Sequence, residues 1–207
     1  MRGRFVTIEG GEGAGKSTMM TRVANWVRVA GHQVVNTREP GGTELAEKLR
    51  DILLDQNNLD LSGQAELLLM FAARAQHLEE LIRPTLARGD WVLCDRFTDA
   101  TWAYQGGGRD LPHQDIAVLE NLVHGDLQPD LTLLLDLPVE QGLQRAFERS
   151  MADRFEQESK AFFERVRKAY LERAMAAPER FAVIDASLDV TSVWSQIETV
   201  LEERLRP

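Results

Sequence analysis

Residues Gly10–Ser17 read Gly-Gly-Glu-Gly-Ala-Gly-Lys-Ser, and they leave this chain few ways to fold. The stretch fits the pattern Gly, any four, Gly, Lys, Ser/Thr of a phosphate-binding loop. Such a loop needs a strand before it and a helix after it. Phe5-Val6-Thr7-Ile8 is β-prone, and 16–29 reads as a helix with Met20, Val23 and Val27 about one turn apart. Phosphate oxygens require several backbone N–H groups pointing into one concavity, which side chains would block. Gly10, Gly11, Gly13 and Gly15 keep it open, and Glu12, Ala14 and Thr18 complete the loop and the first helical turn. Lys16 can then reach the outer phosphates of a nucleoside triphosphate as a point charge, and the Ser17 hydroxyl is placed to ligate Mg²⁺.

Beyond the loop, short β-prone runs alternate with longer helical ones. The patterns predict strands near 4–9, 33–37, 91–95, 131–136 and 181–185, and helices near 16–29, 43–54, 64–87, 97–105, 113–124, 139–149, 156–175 and 190–205. Continuously apolar strands such as Leu131-Thr132-Leu133-Leu134-Leu135 imply a sheet covered on both faces. The expected fold is therefore α/β, a P-loop NTPase fold with a five-stranded parallel sheet, helices on both faces and a lid segment near 147–156, in one domain spanning 1–207. Ligands belong beyond the carboxyl ends of the strands. The chain of 207 residues, 43% hydrophobic, suffices for one such core. No apolar run reaches 18 residues and no signal-peptide layout opens the chain, so a cytoplasmic protein without a membrane partner is expected. A net charge of −9 argues against a nucleic-acid polymer as partner. The lone Cys94, in the apolar run Trp91-Val92-Leu93-Cys94, reads as core.

Candidate site residues cluster after the strands. Thr37-Arg38-Glu39-Pro40-Gly41-Gly42-Thr43 is a loop whose Thr43 can cap the next helix, and Arg38 ends a strand where a guanidinium either addresses a phosphate or pairs with Glu39. Arg74 lies three residues after Phe71 and four after Met70, so these share one helical side, as a core-edge arginine or as a donor at a base pocket. Asp95 ends the third strand, the expected second metal contact of a P-loop protein, and Arg96 follows it into the same crevice. Thr101, Tyr104 and Gln105 fall on one helical face and suit the edge of a nucleobase and a sugar; Gly106-Gly107-Gly108 is expected to end that helix. Arg145, Arg149 and Arg154 flank a helix break, as in a lid that closes over phosphates.

Taken in order, Ile8-Glu9-Gly10 through Thr18, Arg38-Glu39-Pro40-Gly41-Gly42-Thr43, Phe71-Ala72-Ala73-Arg74, Asp95-Arg96-Phe97, Ala103-Tyr104-Gln105-Gly106 and Asp153-Arg154-Phe155-Glu156 make the whole chain resemble the bacterial-type thymidylate kinases. The resemblance implies phosphorylation of dTMP to dTDP with ATP and Mg²⁺ in dTTP biosynthesis, by a homodimer packed through helices such as 64–87. It implies that Lys16 and the loop amides bind ATP, that Ser17 and Asp95 lie at the metal, and that Glu12 positions the dTMP sugar. Arg38 and Arg96 would hold the dTMP phosphate. Arg74, Thr101 and Gln105 would read thymine, and Tyr104 would crowd the 2′ position. The catalytic lid arginine would be Arg149. Relatives carry a base-stacking aromatic where this chain has Met70, so either Phe71 turns into the pocket or Met70 supplies the platform. Two competing readings remain: a deoxynucleoside kinase using Glu39 as base, and a P-loop ATPase switch with no small-molecule acceptor.

Overall fold

In the computed structural model, which describes residues 2–58, 60–147, 154–155 and 158–205, five parallel strands run β1 Phe5–Glu9, β2 Val34–Arg38, β3 Trp91–Asp95, β4 Leu131–Asp136 and β5 Phe181–Asp185. Their order is β2-β3-β1-β4-β5, so the chain reverses direction across the sheet on either side of β1. Register aligns Arg38 with Asp95, Asp95 with Ile8, and Glu9 with Leu134. The carboxyl ends of four strands therefore form one rim, which is where an open parallel sheet places its ligands.

The strand residues are buried on both sides because helices cover both faces. On one face α1 (Lys16–Val29) and α9 (Val190–Leu205) bring Val23, Val27, Ile197 and Leu201 against Val6, Ile8 and Leu133. On the other, α8 (Lys160–Ala176) packs Phe163, Val166 and Tyr170 against Leu134 and Phe181. Beside it Leu78 and Ile82 cover Phe5, Val92 and Cys94. Helix α2 (Glu44–Leu54) starts at Thr43, whose hydroxyl accepts from the Ala46 amide at 3.3 Å, the cap that the sequence pattern implies. No helix among the described residues is long and apolar enough to cross a membrane.

Three helical expectations are corrected. The span 64–87 is not one α-helix: α3 (Gly63–His77) passes through a widened π-turn at Leu78–Ile82 into α4 (Arg83–Ala87). Pro84 has no N–H for the carbonyl one turn back, and the wider turn, with Arg83 N–H donating to Leu78, accommodates that loss. The helix predicted at 97–105 is the short α5 (Thr98–Thr101) continued as a π-helix over Trp102–Gly108. Its three glycines form its last turn, so it ends at Gly108 and not at 105. They let α8 approach: a Cβ on Gly108 would meet the Phe162 ring at 2.5 Å, and one on Gly107 would meet Ala169 at 2.6 Å. The helix predicted from 156 begins at Lys160, where Ser159 caps it. Helices α6 (His113–His124) and α7 (Val139–Phe147) start as predicted. Of the lid segment, only Phe147, Arg154 and Phe155 belong to the described residues; Arg149, Asp153 and Glu156 lie outside them.

Candidate active site

The phosphate-binding loop closes the space between β1 and α1. Its Lys16 Nζ donates to the Gly10 and Gly11 carbonyls at 3.1 and 3.0 Å. Burial and the neighbouring Arg96 charge push its pKa down, against the pull of Glu12, Asp95 and Glu9. Gly13, with φ +67°, lies so near α7 that a Cβ there would sit 2.0 Å from the Gly142 carbonyl. Only bare backbone on both partners permits that approach. Ser17 lines an open cavity together with Arg38 and Asp95. Asp95 Oδ1 is buried with no hydrogen-bond partner among the described residues, while Arg38 lies on the rim and pairs with Glu47 at 2.8 Å, not with Glu39.

One backbone turn joins this loop to a second recess. Arg96 holds a left-handed φ of +66°, a conformation that costs a non-glycine residue roughly 1–2 kcal/mol. Its N–H bonds to Ile8 O at 3.0 Å and its carbonyl accepts from Cys94 Sγ at 3.0 Å. The turn brings the guanidinium back over the loop, with Nη2 on Glu12 Oε1 at 2.6 Å and on Tyr104 Oη at 2.8 Å. Tyr104 Oη donates to the same Glu12 oxygen at 2.7 Å. Burial alone would raise Glu12, but Arg96, Lys16 and the Tyr104 hydroxyl outweigh it and hold its carboxyl at about 2. Arg96 Nε is buried and unpartnered among the described residues. Beneath the turn, Glu9 accepts from the Phe97 N–H at 2.6 Å and from Tyr170 Oη at 2.7 Å. Burial and the nearby Asp99 charge raise Glu9 to about 8, against those two hydrogen bonds.

The recess is an open cleft with Glu12 and Arg96 at one end and Met70, Arg74, Ala100, Thr101, Gln105 and Phe155 around the other. Arg74 is buried at its wall. Its Nε donates to Glu39 at 2.6 Å, its Nη2 donates to Thr101 Oγ1 at 3.0 Å, and its Nη1 has no partner among the described residues. Phe71 and Phe97 sandwich the guanidinium, their ring centroids 4.7 and 5.3 Å from Cζ. Phe71 therefore does not line the cleft. It packs with Leu67 and Ile116 behind Arg74, and Met70 presents the apolar surface instead. A residue one position along a helix is rotated by about 100°, enough to move it from cleft to core. Glu39 is occupied: Arg74 and His77 Nδ1, the latter at 3.0 Å, draw its pKa down against burial, which leaves it no free oxygen to serve as a base for a hydroxyl acceptor.

Sequence patterns did not single out Glu66, Arg50 or Phe155. Glu66 is fully buried and accepts from Gln105 Nε2 at 2.8 Å, from Arg154 Nη2 at 2.5 Å and from Arg109 at 3.3 Å. Arg154 also donates to the Leu53 carbonyl at 2.8 Å, which ties this residue of the lid segment to α2. Arg50 reaches the cleft from the same helix, with Nη1 on Pro40 O at 2.8 Å. An acid in an amphipathic helix looks like surface until its partners, 39 to 88 residues away, are known.

Residues 8–197 match the family model described as thymidylate kinase. The thymidylate kinase of Pseudomonas syringae pv. syringae is 58% identical over 205 residues, covering 99% of this chain and 98% of that protein. That of Alcanivorax borkumensis is 56% identical over 203 residues, 98% of each. The crystal structure of thymidylate kinase from Ehrlichia chaffeensis superposes with a TM-score of 0.79 at 33% identity, covering 98% of this chain and 99% of that one.

Proposed function

The chain belongs to the thymidylate kinase family, and on that premise we propose how its groups divide the transfer of the γ-phosphoryl group from ATP to dTMP, which yields dTDP and ADP. Gly10–Thr18 cradle the ATP phosphates, with backbone N–H groups of the loop turned to the oxygens and Lys16 spanning the outer two. The dTMP lies in the cleft, its phosphate toward Arg96 and its base toward Arg74. The observation that carries this reading is the Arg96 turn, which puts one guanidinium at the junction of nucleotide loop and cleft with a buried Nε still free to donate. Two anions repel as they approach, and a cation fixed between them offsets that repulsion without reorganising during the reaction.

Around this centre, Glu12 takes the dTMP sugar hydroxyl and keeps Arg96 aimed. Tyr104, held by Glu12 and Arg96, packs under the sugar and disfavours a 2′-hydroxyl. Arg74 Nη1 donates to the base, with Thr101 fixing the guanidinium behind it, and Gln105 meets the base edge. Met70 supplies the apolar platform, one of the two alternatives that the sequence left open. Arg38 completes the phosphate site from the β2 rim, exchanging Glu47 for the dTMP phosphate. Ser17 and Asp95 suit a hard divalent cation: both residues line one cavity, and Asp95 keeps a buried carboxylate oxygen with no hydrogen-bond partner among the described residues, which fits Mg²⁺ held mainly by phosphates and water. Bound there, Mg²⁺ would supply positive charge to the phosphate oxygens. Arg149 is the proposed lid donor.

The reading is tested by ADP release from ATP and Mg²⁺ with dTMP, dUMP, dCMP, dGMP, thymidine or no acceptor in parallel. Strong turnover with dTMP, weaker with dUMP and near zero elsewhere is expected. Turnover with thymidine would reassign the cleft to a nucleoside, and equal hydrolysis without acceptor would remove the acceptor site.

A further inference from the structure

Glu66 touches neither the cleft nor the phosphate loop, yet it is fully buried and every oxygen it has is used. Its Oε1 accepts from Gln105 Nε2 at 2.8 Å and its Oε2 from Arg154 at 2.5 Å, with Arg109 bridging both at 3.3 Å. A carboxylate between two guanidinium groups can only accept. It therefore admits one orientation of the Gln105 amide, the one with the N–H₂ toward Glu66.

We propose that Glu66 is a positioning residue for base selection: by holding Gln105 Nε2 it turns Gln105 Oε1 to the cleft, so that the cleft offers an acceptor from Gln105 beside a donor from Arg74. This rests on the reading that the base lies between those two residues. Thymine presents N3–H as donor and O4 as acceptor, and both find complements. Cytosine presents N3 as acceptor and an amino group at position 4, and both meet like groups. A free amide could flip and accommodate either base; an amide pinned by a carboxylate cannot. Unmatched buried polar groups are what let a site reject an analogue by orders of magnitude, where a methyl group gives only about 10–200-fold.

Glu66→Gln is the discriminating variant. Arg154 requires an oxygen at the Oε2 position, which leaves the new N–H₂ facing Gln105 and forces that amide to flip. The ratio of kcat/KM for dTMP over dCMP should fall about tenfold or more, while the ratio for dTMP over dUMP, whose base edges are the same, should hold within about twofold. General loosening of the cleft would lower both ratios together and would overturn the inference, as would two unchanged ratios. Arg74→Gln run in parallel separates the layers. If it collapses the dCMP ratio and Glu66→Gln does not, the base site stands and the role of Glu66 falls; if neither moves it, the base is not read here. Should the Glu66 variant fail to fold, wild-type protein labelled with ¹⁵N-glutamine gives the answer by NMR. The Gln105 N–H₂ pair is expected to exchange slowly with solvent before dTMP is added and to shift little on binding. A pair that exchanges fast and shifts strongly with dTMP would place the donor on the cleft side and overturn the inference.

Discussion

At the scale of single residues, the site is a set of charges that hold one another in place. Arg96 sits over Glu12 and Tyr104 in a backbone conformation that arginine rarely adopts, and the left-handed turn is what aims it. Arg96→Ala should lower kcat/KM for dTMP by about 10²–10³-fold, the usual loss for one preorganised donor at a developing charge, while the Kd of ATP measured by calorimetry changes little. Equal losses in both would mean that Arg96 serves the ATP side. Glu9 behaves differently. Its folded pKa of about 8 lies above the ordinary 4.5, so the native state keeps a proton that the unfolded chain releases. That contribution to stability is complete below about pH 4.5 and is lost as pH rises to about 8. Glu9→Gln keeps an acceptor for the Phe97 N–H and puts an N–H₂ beside Tyr170 Oη, whose hydroxyl can turn to accept from it. Thermal unfolding of this variant should fall less than wild type between pH 5 and 8, at up to ~1.4 kcal/mol per pH unit of difference. Parallel pH profiles would contradict the shift. Arg96 was readable from its place after Asp95, and the pairing of Arg38 with Glu47 was not, because the Glu39 beside it in sequence faces inward to Arg74.

At the scale of elements, the P-loop with its strand and helix was legible because every determinant is local: glycines, a β-prone run before them and a 3.6-residue period after. The π-turns were not. A widened turn leaves the apolar period almost intact, and its marks in the chain are slight: Pro84, which lacks an N–H, in one case and a glycine run that admits α8 in the other. Gly108→Ala puts a methyl within the Phe162 ring contact and Gly107→Ala puts one against Ala169 and the Arg165 carbonyl. Each should cost about 1–3 kcal/mol in urea unfolding by overpacking, with Gly107 the worse because backbone cannot step aside as a ring can. A loss below 0.5 kcal/mol would mean that α8 shifts freely over this segment. The same packing explains why Thr101, Tyr104 and Gln105 reach one cleft although the helix carrying them is not regular.

For the whole molecule, a parallel sheet covered on both faces followed from alternation alone, whereas its strand order did not, and the cleft joins groups from the loops after β1, β2 and β3 with groups from α2, α3, α5 and its π extension that no linear pattern connects. Leu68 on α3 and Val118 and Leu122 on α6 expose apolar side chains on two helices in contact, and we propose that a second copy of the chain covers them. Leu122→Glu should then lower the sedimentation coefficient without changing the far-UV spectrum; an unchanged coefficient would overturn this placement. A different use follows from Cys94. The chain has one thiol, fully buried between β1 and β2 on β3, and burial, with the charges of Glu39, Asp95 and Glu9, pushes its pKa well above the ordinary 9.0. Maleimides and iodoacetamides, which need an accessible thiolate, should pass it by. A cysteine introduced at the exposed Phe147 would then be the sole point of dye attachment, giving a background-free fluorescent reporter at the end of α7, the helix whose Gly142 abuts the nucleotide loop.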